Sequence, residues 1–509
     1  MAKSEVKIGA ILSYITILLN TLIGIFYTPF LTHMLGQSEY GLYSLVASVI
    51  SYITILDFGF GNAITVYTSK YIAKNDSIGM KKLNGMFLIV YTSIGIIAAM
   101  VGVFIIFNIE RLFSQTMTID EIETAKILMT ILTFNVAITF PFSLFSNIIT
   151  AYEKFIFSKT LNIIRIAALP LCMTPLLLTG FKSISLAILT TLINVVVILA
   201  NTWYCYKKIH IKFSFKHFDK ILFLEIISYS FFIFLNQIVD KINWGLNNFI
   251  LGAICGTTAV AVYSVALQFN NMYLSFSTAI SSVMLPKVSK MEANKASDED
   301  FTEIFIKTGR VQYFIMGLII TGFIIFGKQF IILLFGNEYV DAYIIACILM
   351  IPVTVPLIQN VGLSIMQAKN KFQFRAVMSI VVALLSIILS VILAKPYGGI
   401  GASIGTGASF LIFNFIIMNI YYWKVININI FQFWKEIIKI SIPIVILFSL
   451  SLIIISWINY NGIIWFIFEI LLYACLYVVL IWVFSLNDYE KQLLIKPINS
   501  LIYTIKTLI

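Results

Sequence analysis

Runs of about twenty apolar residues recur along the whole chain, so its fold must hide the backbone from lipid. Fourteen such runs can be marked, centred roughly on residues 8–32, 41–66, 83–108, 125–150, 160–180, 184–206, 222–252, 258–285, 310–327, 340–366, 374–394, 400–423, 437–458 and 462–486. At 1.5 Å per residue, each can cross a hydrocarbon layer of about 30 Å. Within lipid every amide needs an intramolecular partner, which leaves helices or closed barrels. These runs are continuously apolar rather than alternating at period two, so an all-α integral membrane fold of about fourteen transmembrane helices is expected. Charged residues make up only 11% of the chain, against roughly 25% in soluble domains, so most of the surface must face lipid. The first run is too long and too polar-studded for a cleavable signal, and no small-residue cleavage site follows it. It reads as the first span.

The net charge of +11 invites a nucleic-acid reading, which its distribution rejects. With the N-terminus placed inside, about 28 of the 34 Lys and Arg residues fall on the inner side. They cluster at Lys70–Lys82, Lys154–Arg165, Lys207–Lys220, Lys287–Arg310, Lys369–Arg375 and Lys424–Lys439. The outer side holds only Arg111, Lys126, Lys182, Lys328 and Lys395, and Lys241 stands inside a span. The basicity is the positive-inside rule written along a polytopic chain, with both termini cytoplasmic. Tryptophan agrees: all but Trp244 lie near span ends, as an interfacial belt requires. The five cysteines lack CxxC spacing, and no second His or Cys stands at ligand distance from His33, so neither a disulfide framework nor a metal site is expected.

The chain also repeats itself. LGQSEYGLYSL (Leu35–Leu45) and CGTTAVAVYSV (Cys255–Val265) share Gly36/Gly256, Tyr43/Tyr263 and Ser44/Ser264 at an offset of 220, which Lys70/Lys290 also keep. Ile127–Met129 matches Ile348–Met350 at 221, and Ala151–Phe155 matches Ala368–Phe372 at 217. Spans 1–6 therefore recur as spans 7–12. Six is even, so both copies enter the membrane in the same direction, as two pseudo-symmetric six-helix lobes with a substrate site at their interface. The division expected is an N-terminal lobe over 1–206, a basic cytoplasmic linker over 207–220, a C-terminal lobe over 221–423, and an extra peripheral helix pair with a cytoplasmic tail over 424–509. The glycine-rich stretch Gly398–Gly407 is no phosphate loop: it lacks GxxxxGK[ST], follows no strand, and has small-xxx-small spacing for helix packing.

Ionisable residues inside a membrane cost roughly 2.5–3.5 kcal/mol each on insertion scales, so those present are candidate site residues. The clearest seam lies in span 7, where Gln237, Lys241, Trp244 and Asn248 share one helical face beside Asp240 and Asn247. Span 1 aligns Ser13, Thr16, Asn20, Gly24 and Tyr27; span 8 aligns Ser264, Gln268, Asn271 and Ser275; span 2 adds Asp57. These faces are expected to line one central cavity. The bland readings are mutual neutralisation of Asp240 and Lys241, interhelical hydrogen bonding by the Ser, Thr and Asn residues, and snorkelling of Arg165 toward the basic boundary. No nucleophile–base pair stands in an outer loop, so no enzyme is expected.

At this point the residues match a family. TPFLTHMLGQSEYGLYSL with ILDFGFGNAITVYTSKYIAKND resembles the opening of O-antigen and capsule-type polysaccharide flippases, in the multidrug/oligosaccharidyl-lipid/polysaccharide exporter superfamily. QIVDKINWGLNNFILGAICGTTAVAVYSVALQFNNM and YGGIGASIGTGASF resemble later parts of the same family. The resemblance implies a V-shaped pair of lobes working by alternating access in a bacterial cytoplasmic membrane. The substrate it implies is undecaprenyl-(pyro)phosphate-linked oligosaccharide, moved to the outer leaflet without a cofactor, with proton or sodium coupling and polysaccharide polymerase machinery as a partner. On that reading Lys241 and Arg165 attract the phosphate; Asn20, Gln268, Asn271, Trp244 and Gln237 meet the sugars; and Asp57 or Asp240 takes the coupling cation. The rivals are a multidrug/cation antiporter of the same superfamily, which calls for an acidic cavity, and a membrane glycan polymerase or ligase, which calls for a charged outer loop.

Overall fold

The computed structural model describes residues 2–215, 219–281, 284–369, 371–457, 462–488 and 490–492. Among them there is helix and no strand, as the unbroken apolar runs require. The first ten helices are α1 (Ala2–Leu22), α2 (Thr28–Leu35), α3 (Gln37–Ile53), α4 (Phe60–Ala73), α5 (Ser77–Phe113), α6 (Ile119–Ala151), α7 (Phe155–Leu178), α8 (Ser183–Tyr204), α9 (Lys220–Cys255) and α10 (Thr257–Ser281). They are followed by α11 (Met284–Ala293), α12 (Asp298–Phe335), α13 (Val340–Ile358), α14 (Val361–Ala368), α15 (Gln373–Leu411), α16 (Met418–Lys424), α17 (Ile430–Trp457) and α18 (Ile463–Phe484).

Twelve helical stretches among the described residues are long and apolar enough to span a membrane, against the fourteen expected. The difference has two sources. Gln373–Lys424 counts as one stretch of 52 residues, although Gly398 leaves helical geometry (φ 55°, ψ −135°) between the runs read as spans 11 and 12. Helix α10, read as span 8, carries Gln268, Asn270 and Asn271 mid-course and is not among the twelve. The protein is multi-pass and integral to the membrane. Large apolar side chains such as Phe104, Phe107 and Leu171 stand exposed on its helices, where lipid is their natural solvent.

The chain divides into two compact units, Met1–Gln268 with Ala383–Gly405, and Phe269–Val382 with Thr406–Ile509. In the first, α5 lies along α6, α6 along α8, and α1 along α7. Helix α9 packs on α3 and α4, with Phe58 against Phe234 at 4.7 Å between ring centres. At the lysine-poor end, Glu121 Oε1 accepts from Ser38 at 2.5 Å and from Thr257 at 2.8 Å, tying the starts of α3, α6 and α10 together. Gly36 (φ 80°, ψ 162°) and Gly256 (φ 85°, ψ −177°) break their helices in one shared conformation, 220 residues apart. After α8, residues 211–215 run along the start of α5, where Ser214 donates its amide to the Lys81 carbonyl at 2.9 Å.

In the second unit, α12 is the central post. Phe326 packs with Ile440, Ile444 and Leu447 of α17 and with Phe466, Tyr473, Tyr477 and Ile481 of α18 in one buried cluster. At its lysine-rich end, Arg310 is enclosed by acids. Its Nε and Nη2 donate to Glu490 at 2.6 and 2.9 Å, its Nη1 to Glu436 at 2.8 Å, and its Nη2 to the Ser485 carbonyl at 2.8 Å. The Arg310 side chain is 7% exposed and that of Glu490 1%. A cation so fully engaged holds helices together.

Candidate functional site

The site begins with a break in a helix. The course from α3 to α4 tightens into a 3-10 turn at Thr54–Asp57, and Phe58 (φ 50°) and Gly59 (φ 74°) then adopt left-handed conformations. Such a break inside an apolar stretch frees main-chain groups that need partners. Asp57 supplies one: its Oδ2 accepts from the Gly61 amide at 3.4 Å, while its Oδ1 accepts from the Tyr91 hydroxyl of α5 at 2.7 Å. The carboxylate is half-buried, and its other side borders a cavity.

That cavity, of about 640 Å³, lies wholly within the first unit. Asn20 and Ile23 of the first span, the Thr54–Asp57 turn, and faces of α6, α7 and α8 enclose it. Helix α6 presents Asn135, Thr139 and Ser143, one turn apart along one face. Helix α8 presents Thr190 and Asn194, also four residues apart, and α7 presents Arg165 among Ile166, Leu169 and Pro170. Asn194 Nδ2 donates to Asn135 Oδ1 at 2.6 Å and to Thr139 Oγ1 at 2.7 Å, bridging α8 and α6. Arg165 is exposed to this space, and no carboxylate among the described residues lies within ion-pair distance of it. The cavity therefore offers one cation, one engaged carboxylate, and amides and hydroxyls set among apolar side chains such as Ile23, Val136, Phe140, Leu169 and Ile193.

Of the residues singled out from sequence, three meet here: Asn20, Asp57 and Arg165. Gln268 is engaged elsewhere. The first span widens into a π-turn at Ile23–Tyr27, and Gln268 Nε2 donates to the Gly24 carbonyl at 2.5 Å and to Thr28 Oγ1 at 3.1 Å. It thereby supplies a donor where the widened turn loosens the regular ladder. Gln237, Lys241 and Trp244 are half-buried on α9, which does not border this cavity. Asn271 is exposed in the second unit, and the side chain of Asp240 lies outside the described residues. Asn135, Thr139, Asn194 and Tyr91 were missed. The four-residue spacing of Asn135, Thr139 and Ser143, and of Thr190 and Asn194, was the signal that could have found them. Among the described residues no group of His, Cys, Asp and Glu is arranged to hold a metal ion.

Comparison with known proteins decides the family. A family model described as "Polysaccharide biosynthesis protein" matches residues 6–292. The chain belongs to that family. The relative "Probable low-salt glycan biosynthesis flippase Agl15" of Haloferax volcanii is 24% identical over 166 residues, 32% of this chain and 34% of that one. The match thus spans about a third of that relative's length. The solved structure of the lipid II flippase MurJ, in an inward closed conformation, superimposes with a TM-score of 0.69 at 16% identity, covering 94% of this chain and 97% of its own. An inward-facing multidrug resistance transporter of the MATE family gives 0.63 at 14% identity, covering 80% and 99%. At such identities the likeness is one of fold.

Proposed function

We propose that this polysaccharide-biosynthesis protein is a flippase that carries a polyprenyl-(pyro)phosphate-linked oligosaccharide from the inner to the outer leaflet of the cytoplasmic membrane. The observation that carries the reading is the cavity: an arginine with no carboxylate in ion-pair range among the described residues faces amides and hydroxyls set among apolar side chains. Arg165 attracts the phosphate, because a guanidinium in a poorly hydrated site binds phosphate oxygens through charge-assisted, often bidentate, hydrogen bonds. Asn20 and the polar faces of α6 and α8 meet the sugars. Lys241 and Trp244 of α9 take a second contact with the substrate. Asp57, poised on the Tyr91 hydroxyl at the bend, takes a coupling proton or sodium ion during alternating access. The lysine distribution supports an orientation with both termini on the cytoplasmic side. The family assignment and the name of the Haloferax relative support glycan over drug transport.

The test is reconstitution. Proteoliposomes loaded with lipid-linked oligosaccharide should expose it to an external glycosidase faster than protein-free vesicles do, and Arg165→Ala should abolish most of that gain. Export of organic cations with no effect on glycan exposure would instead establish the antiporter reading.

A further inference from the structure

The cluster at the α6–α8 wall has a forced proton arrangement. Thr139 Oγ1 donates its single proton to the Asn135 carbonyl at 2.6 Å, so toward Asn194 it can only accept. That fixes which end of the Asn194 amide faces it: Nδ2, whose two protons go to Thr139 and to Asn135 Oδ1. Asn135 must then present its oxygen inward. What remains is Asn135 Nδ2, a donor, and Asn194 Oδ1, an acceptor, on the two amides that this hydrogen bond joins at 2.6 Å. Both residues are half-buried on the cavity wall, and neither atom has a partner among the described residues. A donor next to an acceptor matches groups that both give and take a hydrogen bond. A phosphate offers acceptors alone and would meet the Asn194 oxygen unfavourably.

The second repeat shows that packing alone does not demand this arrangement. At the offset of 220, Thr139 and Asn194 correspond to Gln359 and Asn414. There the polar groups are closed in: Gln359 is 2% exposed and donates to Asn419 Oδ1 at 2.8 Å, and Asn414 is 4% exposed. Asn414 serves the main chain, donating to the Phe410 carbonyl at 3.0 Å where the helix widens into the π-turn Ile412–Ile417. Asn194 lies inside regular α-helix and has no such task. The charged groups differ in the same sense. Asp57 corresponds to Ser277, and Arg165 to Val382 or Leu385 at offsets of 217 or 220.

We propose that Asn135 and Asn194, locked by Thr139, form a hydroxyl-reading subsite that holds adjacent hydroxyls of a sugar ring in the lipid-linked substrate, while Arg165 holds its phosphate. The assignment rests on the flippase reading above. It divides the cavity into a charge-reading side on α7 and a sugar-reading side on α6 and α8. Selectivity then comes from the sugar side, since a site built to hydrogen-bond a hydroxyl rejects ligands that leave its buried polar atoms unpaired.

The test uses the full-length protein in detergent. Its two probes are lipid-linked oligosaccharide extracted from cells that make this protein, and the same extract hydrolysed at its glycosyl–phosphate bond to bare carrier. Wild type should bind the glycan-bearing lipid about tenfold more tightly than the bare one, the scale expected of a pair of hydrogen bonds. Asn135→Leu should erase that ratio. Asn135→Ala, which removes the outward donor and adds no bulk to the wall, should erase it as well. Arg165→Ala should weaken both lipids together and keep the ratio. If both Asn135 variants fold and preserve the ratio, the subsite is wrong and the flippase reading stands. If wild type binds neither lipid, the flippase reading falls and the subsite with it.

Discussion

Arg165 and Arg310 are the same side chain in two opposite settings. Arg310 is buried among Glu490, Glu436 and the Ser485 carbonyl, where four hydrogen bonds engage it and tie α12 to α17 and to the segment after α18. Arg165 faces a cavity of about 640 Å³ with no carboxylate in ion-pair range among the described residues. The polar clusters follow their arginines: open at Asn135–Asn194 in the first unit, shut at Gln359–Asn419 in the second. The two units thus hold an arginine in opposite ways, one with every guanidinium nitrogen engaged by the protein and one facing a cavity. A charged residue in a membrane helix is informative only once its partners are known.

The comparison breaks most visibly at Arg310. Its replacement in Arg310→Ala leaves Glu490 buried and unpaired, which should cost about 3–5 kcal/mol and show as a lost or much lowered unfolding transition in detergent. Arg165→Ala should leave that transition nearly in place, because it removes no internal partner. Its effect should fall on transport instead, lowering glycan flipping by about tenfold or more as one charge-assisted phosphate contact is lost. A matching fall in thermal stability would make Arg165 a second Arg310 and erase the contrast. Asp57→Asn sharpens it further. The amide can still accept from Tyr91 but takes no cation, so flipping under an imposed proton or sodium gradient should drop to the rate without one. The smallest effect is expected at Asn414→Leu, where the Phe410 carbonyl loses a donor: about 1 kcal/mol of stability, read by denaturant titration, with flipping unchanged.

Much of this was legible from residues. Continuous apolar runs and lysine asymmetry imply a multi-pass helical protein because lipid leaves the backbone so few alternatives. Asp57 and Arg165 stood out because charge in a span is rare, and Asn20 because it lay on a polar stripe. Asn135 and Asn194 did not stand out: neutral amides on different helices look like ordinary interhelical glue until a fold shows them bridged and facing a cavity. Gln268 illustrates the converse. Its place in a polar stripe suggested ligand contact, yet its amide is bonded to Gly24 and Thr28 at a π-turn that no sequence pattern marks. The fourteen-span count differs where hydropathy is least decisive, at polar α10 and at the Gly398 bend.

Substrate protection tests the cavity most directly. In a background with the native cysteines replaced, Thr190→Cys would place a thiol on the α8 wall, and its alkylation by a small maleimide can be timed in proteoliposomes. Lipid-linked oligosaccharide at saturating concentration should slow that reaction on the order of tenfold, and ordinary phospholipid should not. An alkylation rate that the glycan-bearing lipid leaves unchanged, at concentrations that saturate flipping, would contradict the placement of substrate in the first-unit cavity.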